Sequence, residues 1–141
     1  MRGTFQSAGA ADTEALGGSL AAELDPGDVV LVQGDLGAGK TTFVRGACRA
    51  LGVTVPVTSP TFTIGQLYPG EGGTIAHVDL YRLGSLADEE PELLADYLRP
   101  DTVAFVEWPA GHEPELKALA SVAASVRLEH AGGERRVVEV S

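Results

Sequence analysis

A chain of 141 residues, 44% apolar and 21% charged, has the size and composition of one globular domain (residues 1–141), and its single cysteine excludes an internal disulfide. Its net charge of −10, from 20 acidic against 10 basic residues, speaks against bulk electrostatic binding to nucleic acid or anionic membrane, and it suits a basic protein partner or plain solubility. No apolar run approaches the ~20 residues that cross a bilayer, and residues 1–11 lack the apolar stretch of a signal peptide, so a cytoplasmic protein is expected. A local basic patch built from Arg45, Arg49, Arg82 and Arg99 stays open.

In chain order, residues 12–24 space Leu16, Leu20 and Leu24 four apart behind Asp12 or Thr13 as a cap, which predicts a helix. Asp25-Pro26-Gly27-Asp28 is a turn, and residues 28–33 form an apolar run of the kind a buried parallel strand shows. That run leads straight into Gly34-Asp35-Leu36-Gly37-Ala38-Gly39-Lys40-Thr41, which fits the phosphate-loop pattern G-x-x-x-x-G-K-[ST] at every fixed position. Residues 40–51 then place Phe43, Val44, Ala47, Cys48 and Leu51 on one helical face, with Gly52 as the stop. Strand, glycine loop and helix together are the setting a phosphate loop requires, and a functionless glycine turn explains none of it. Glycines let consecutive N–H groups converge on phosphate oxygens. Lys40 supplies a charge to the outer phosphates, Thr41 a hydroxyl for Mg²⁺, and the helix aims its positive end at the anion.

Residues 53–57 are β-branched and read as extended. Around Pro60, Thr58, Ser59 and Thr61 form either a switch that senses the γ-phosphate and Mg²⁺ or a turn held by its own hydroxyls. Residues 62–68 and 74–80 read as strands joined by the turn at 69–73, hence an antiparallel hairpin. Residues 86–98 read as helical with an interruption at Pro91, residues 103–106 as a short buried strand, and residues 122–128 and 135–140 as strands joined by Gly132-Gly133. The expected fold is α/β: a P-loop NTPase-like mixed β-sheet flanked by helices, in a single compact domain.

Two carboxylates fall at the carboxyl ends of apolar strands, where open α/β sheets gather their ligands: Asp79 and Glu107. Glu107 is the better Walker-B-type group, because no polar residue interrupts its strand. His77 is read as a core or supporting group before a base, and Cys48, on the apolar helix face, as buried. Trp108 lines the nucleotide pocket, meets a partner or packs. The guanine-reading N-K-x-D segment is impossible in a chain without Asn, so ATP is the expected nucleotide.

With these residues assembled, the chain resembles the TsaE (YjeE) family of small P-loop ATPases of tRNA threonylcarbamoyladenosine (t6A) biosynthesis. The likeness runs through Thr13-Glu14-Ala15-Leu16-Gly17, the loop to Phe43, Ser59-Pro60-Thr61-Phe62, His77-Val78-Asp79-Leu80-Tyr81-Arg82-Leu83 and Glu107-Trp108-Pro109. It implies that the amides of Asp35, Leu36, Gly37, Ala38, Gly39, Lys40, Thr41 and Thr42 hold the phosphates, and that Thr41 and Glu107 bind Mg²⁺. Asp79 acts near the metal or the attacking water, Thr61 belongs to the switch, and Lys40, Asp79 and Glu107 form the catalytic set. The resemblance further implies TsaD and TsaB as partners, with ATP hydrolysis resetting their transferase rather than performing the transfer. Pro91 departs from the continuous acidic helix expected there, which touches a partner surface more than nucleotide binding. Two other readings remain: a small-molecule P-loop kinase, which the scattered arginines disfavour, and a nucleotide-dependent switch with little turnover, which has less need of paired carboxylates.

Overall fold

Val29, Val30, Leu31 and Val32 are buried on both sides of the strand they form, β2 (Asp28–Gly34), because layers cover both faces of the sheet at this point. The structure is a computed structural model, and it describes residues 1–60, 64–81, 92–109 and 111–141. Before β2 come β1 (Gly3–Ser7) and α1 (Ala10–Ala21); after it come α2 (Lys40–Ala50), β3 (Gly65–Pro69), β4 (Thr74–Asp79), α3 (Glu92–Ala95) and β5 (Thr102–Glu107). The chain ends with α4 (Glu113–Leu119), β6 (Ser121–His130) and β7 (Arg136–Val140).

One seven-stranded sheet runs in the order β1-β7-β6-β2-β5-β4-β3. Its middle is parallel: β2 pairs with β5 and β6, and β4 with β5. The edges are antiparallel, with β3 on β4 and β1 and β6 both on β7. The expected mixed α/β architecture is what the chain adopts, hairpin included. On one face α1 and α2 cover Val30, Val32, Phe105 and Val126; on the other, Leu94 and Leu116 join Val29, Leu31, Ala76 and Val106.

The crossing of α1 and α2 is made by glycine. A Cβ on Gly17 would stand 2.1 Å from the Phe43 carbonyl oxygen, and one on Gly46 only 2.0 Å from that of Glu14, so the helices meet backbone to backbone. Phe43, Val44, Ala47 and Cys48 are buried as their spacing predicts, whereas α1 buries the small residues Thr13, Gly17 and Ala21 beside Leu20.

Several local expectations change. The cap of α1 is Gly9, not Asp12 or Thr13; Asp12 instead accepts the Ala8 N–H at 2.8 Å, and Thr13 shares a hydroxyl bond of 2.7 Å with Ser7. Residues 53–57 join no strand, although Val53 and Val57 are buried in the core with Tyr68 and Ile75. β1 was not expected, because its ladder partner β7 lies at the other end of the chain, with Gly3 opposite Val140. Nor was α4, which is too short to show a helical period and buries only Leu116. The readings at 62–63 and 86–91 lie outside the described residues. Of the arginines considered for a basic patch, Arg45 and Arg49 sit on α2 and Arg99 lines a groove on the opposite face with Asp96 and Asp101, so these three do not share one; Arg82 lies outside the described residues.

Candidate nucleotide site at the carboxyl ends of β2, β4 and β5

The strand register sets three groups side by side. Val32 stands opposite Glu107, and Asp79 stands opposite Glu107 from the other side, so the glycine loop leaving β2 faces both carboxylates. The loop is built as its sequence demands. Gly39, the residue before α2, has φ 100°, a left-handed conformation that side-chain-bearing residues rarely adopt. Ala38 buries its methyl in the core, and its N–H is satisfied inside the loop by the Asp35 carbonyl at 3.0 Å. Asp35, Leu36 and Gly37 are exposed, and the first turn of α2, with Lys40, Thr41 and Thr42, points its N–H ends into the same space.

Lys40 folds back over this cradle. Its Nζ donates to the Gly34 carbonyl at 2.7 Å and the Asp35 carbonyl at 2.9 Å, and lies 4.0 Å from the centre of the Trp108 ring. Burial pushes its pKa down, against the opposing pull of Glu107, Asp79 and Asp35. Trp108 reaches the lysine through a strained backbone: at φ 57° it is the only non-glycine residue with positive φ among the described residues, and its ring tilts against Tyr81 at 4.7 Å.

Thr41 and Glu107 meet directly. The Thr41 hydroxyl lies 3.1 and 3.4 Å from the two carboxylate oxygens, and 2.8 Å from the Ser59 hydroxyl. Glu107 is only 2% exposed, and its Oε2 also receives the Nε2 of His77, itself fully buried. Asp79 is half-buried at the rim, its Oδ1 accepting the Tyr81 N–H at 2.9 Å. Burial raises the Asp79 pKa, aided by Glu107 and opposed by that N–H, by His77 and by Lys40. A hydroxyl and a carboxylate in contact beside the glycine loop are hard oxygen donors of the kind Mg²⁺ takes when phosphates and water complete its shell, so the residues present fit that ion. Among the described residues no group of three or more His, Cys, Asp or Glu is arranged as a metal cage.

The expected residues Lys40, Thr41, Asp79, Glu107 and Trp108 thus come together around the loop, while Thr61 lies outside the described residues. Sequence reasoning missed the outer wall. Arg136 donates to the Gly37 carbonyl at 3.0 Å, and His130 pairs with the Leu36 carbonyl at 3.2 Å. Both come from the β6–β7 hairpin, and no local pattern announces contacts across more than 90 residues.

The family described as threonylcarbamoyl adenosine biosynthesis protein TsaE matches residues 7–138. The chain belongs to the TsaE family. Among the tRNA threonylcarbamoyladenosine biosynthesis proteins TsaE that it resembles, that of Streptomyces coelicolor is 48% identical over 103 residues, which cover 72% of this chain and 70% of that protein. The Bacillus subtilis protein is 44% identical over 98 residues, 69% of this chain and 60% of the relative. The crystal structure of Bacillus subtilis YdiB superposes with a TM-score of 0.77 at 29% identity, covering 99% of this chain and 84% of that one. TsaE membership places the chain in a family of tRNA t6A biosynthesis. No helix among the described residues is long and apolar enough to cross a membrane.

Proposed function

We infer that this TsaE-family chain binds ATP with Mg²⁺, hydrolyses it slowly, and acts on a TsaD–TsaB transferase in tRNA t6A biosynthesis without performing the transfer. The observation that carries the nucleotide part is the contact of Thr41 with Glu107 at the mouth of the loop. Backbone N–H groups of the loop and the first turn of α2 bind the phosphates, and Lys40, released from the Gly34 and Asp35 carbonyls, follows the outer ones. Thr41 and Glu107 hold the ion, which when bound neutralises developing charge on the phosphate oxygens. Asp79, its pKa raised by burial, sits where a water can reach its carboxyl and orients that water or an ion-bound one.

Slow turnover is expected for a physical reason. Among the described residues near the loop, no arginine side chain faces Thr41 and Glu107, and Arg136 is spent on the Gly37, Gly133 and Arg135 carbonyls. A partner that supplies a cation to the transition state would accelerate it, by analogy with other P-loop enzymes. The partner part of the proposal rests on family membership and on the acidic balance of the chain, which is suited to a protein partner rather than to gripping RNA. The test is ATP turnover by the purified chain, alone and with TsaD–TsaB, with and without tRNA. Strong stimulation by the complex supports the reading. Phosphate transfer to a small acceptor, with no stimulation, replaces it with a kinase.

A further inference from the structure

Resting on that reading of the site, we propose that His77 is a positioning residue: its Nε2–H holds the Glu107 carboxylate in the orientation that meets Thr41 and the divalent cation. A carboxylate only 2% exposed needs donors, since an unpaired buried charge is expensive. The Thr41 hydroxyl has one proton, and that proton is shared between the two Glu107 oxygens and Ser59. The firm donor is His77.

The register explains how it gets there. His77 lies opposite Phe105, on the sheet face covered by α1 and α2, and reaches diagonally along β5 to Glu107, two residues further on. A carboxylate only accepts, so in this bond Nε2 carries a proton and donates it. Among the described residues Nδ1 is buried with no hydrogen-bond partner. Among the described residues the ring therefore has one polar tie, and that tie is Glu107. His77 is fully buried behind Glu107, so it does not reach a substrate itself. Groups that orient a metal ligand in this manner are commonly worth 10- to 100-fold in metal affinity, which sets the size of the expected effect.

The test uses the whole chain and a fluorescent N-methylanthraniloyl-ADP, with affinity measured in EDTA and again across a Mg²⁺ titration. Three variants separate geometry from packing. His77→Gln carries an amide N–H about where Nε2 stands, His77→Asn ends one carbon short, and His77→Leu fills the space without a donor. Expected are EDTA affinities within about 3-fold of the unmodified chain for all three, with the Mg²⁺ midpoint raised ~10-fold or more in the Leu and Asn variants and largely restored in Gln. A folded Leu variant with an unmodified Mg²⁺ midpoint overturns the proposal. If the Leu variant loses its cooperative melt, the Asn and Gln pair decides, and equal Mg²⁺ midpoints in those two overturn it as well. An unmodified chain that binds the probe with no Mg²⁺ dependence overturns the site reading, and the role of His77 with it. Failure to bind the probe at all does the same.

Discussion

Replacing Gly46 by Ala tests whether the glycine loop before α2 depends on a backbone-to-backbone helix crossing. The new Cβ would lie 2.0 Å from the Glu14 carbonyl oxygen and 2.5 Å from its carbonyl carbon and Cα. Real Cβ atoms essentially never approach closer than 3.0 Å, so α1 and α2 must part by about 1 Å. Neither backbone can rotate out of the way as a side chain can. A gap of that size forfeits a quarter to a half of the dispersion contact along the interface, and overpacking of this kind costs about 3 kcal/mol. Alanine returns about 1 kcal/mol of helix propensity, so the net loss is ~2 kcal/mol. For a chain of this size that is roughly a 5–8 °C fall in Tm. Gly18 is the internal control. Its Cβ would find nothing nearer than 3.5 Å, so Gly18→Ala gains the propensity with no clash and raises Tm by roughly 3 °C. Thermal melts by circular dichroism give both numbers. A Gly46→Ala melt at or above that of the unmodified chain would refute the reasoning, and so would a Gly18→Ala chain less stable than the unmodified one. Because α2 begins at Lys40 and Thr41, Gly46→Ala should also weaken nucleotide binding at temperatures where the variant is fully folded.

The other expectations concern the site and one buried thiol. Glu107→Ala and Asp79→Ala should each cut ATP turnover by ~100-fold while leaving EDTA affinity within about 3-fold; full turnover in both would remove them from the catalytic set. Trp108, the only tryptophan, lies 4.0 Å beneath the Lys40 ammonium, so nucleotide phosphates that draw Lys40 away should change its emission. Lys40→Ala should abolish both that change and tight binding, and unaltered affinity in this variant would end the phosphate-loop assignment. Burial pushes the Cys48 thiol from 9.0 up to about 12, so the folded chain keeps a proton that the unfolded chain sheds above pH 9. Stability is therefore fully present below pH 9 and falls as pH rises toward 12, by about 2 kcal/mol at pH 10.5. Urea titrations at pH 8 and 10.5 should show that drop in the unmodified chain, and a smaller drop by the same amount in Cys48→Ala. Equal drops would place the Cys48 thiol in contact with water.

Much of this protein could be read along the chain because its signals are local. The loop Gly34 to Thr41 advertises its chemistry through residues that are neighbours in sequence, and the runs at 28–33 and 103–106 are apolar because both faces of a parallel strand are buried. The spacing of Phe43, Val44, Ala47 and Cys48 set the core face of α2 directly. β1 was hidden for the opposite reason: with exposed Thr4 and Gln6, nothing in residues 3–7 marks a strand until β7 stands beside it. Residues 53–57 show the converse, strand-forming side chains with no ladder to join.

The sequence by itself determined the strand, glycine loop and helix that match the phosphate-loop pattern, and the acidic residues at strand ends, because backbone curvature, charge and strand burial are encoded over a few residues at a time. Only the tertiary structure decided which of those groups meet. It aligned Asp79 with Glu107 across adjacent strands, seated Lys40 on Trp108, tied Glu107 to His77 and Thr41, and braced the loop with His130 and Arg136. Those pairings depend on strand order and register, which are set by how the whole apolar surface is buried, and no short stretch of sequence contains that information.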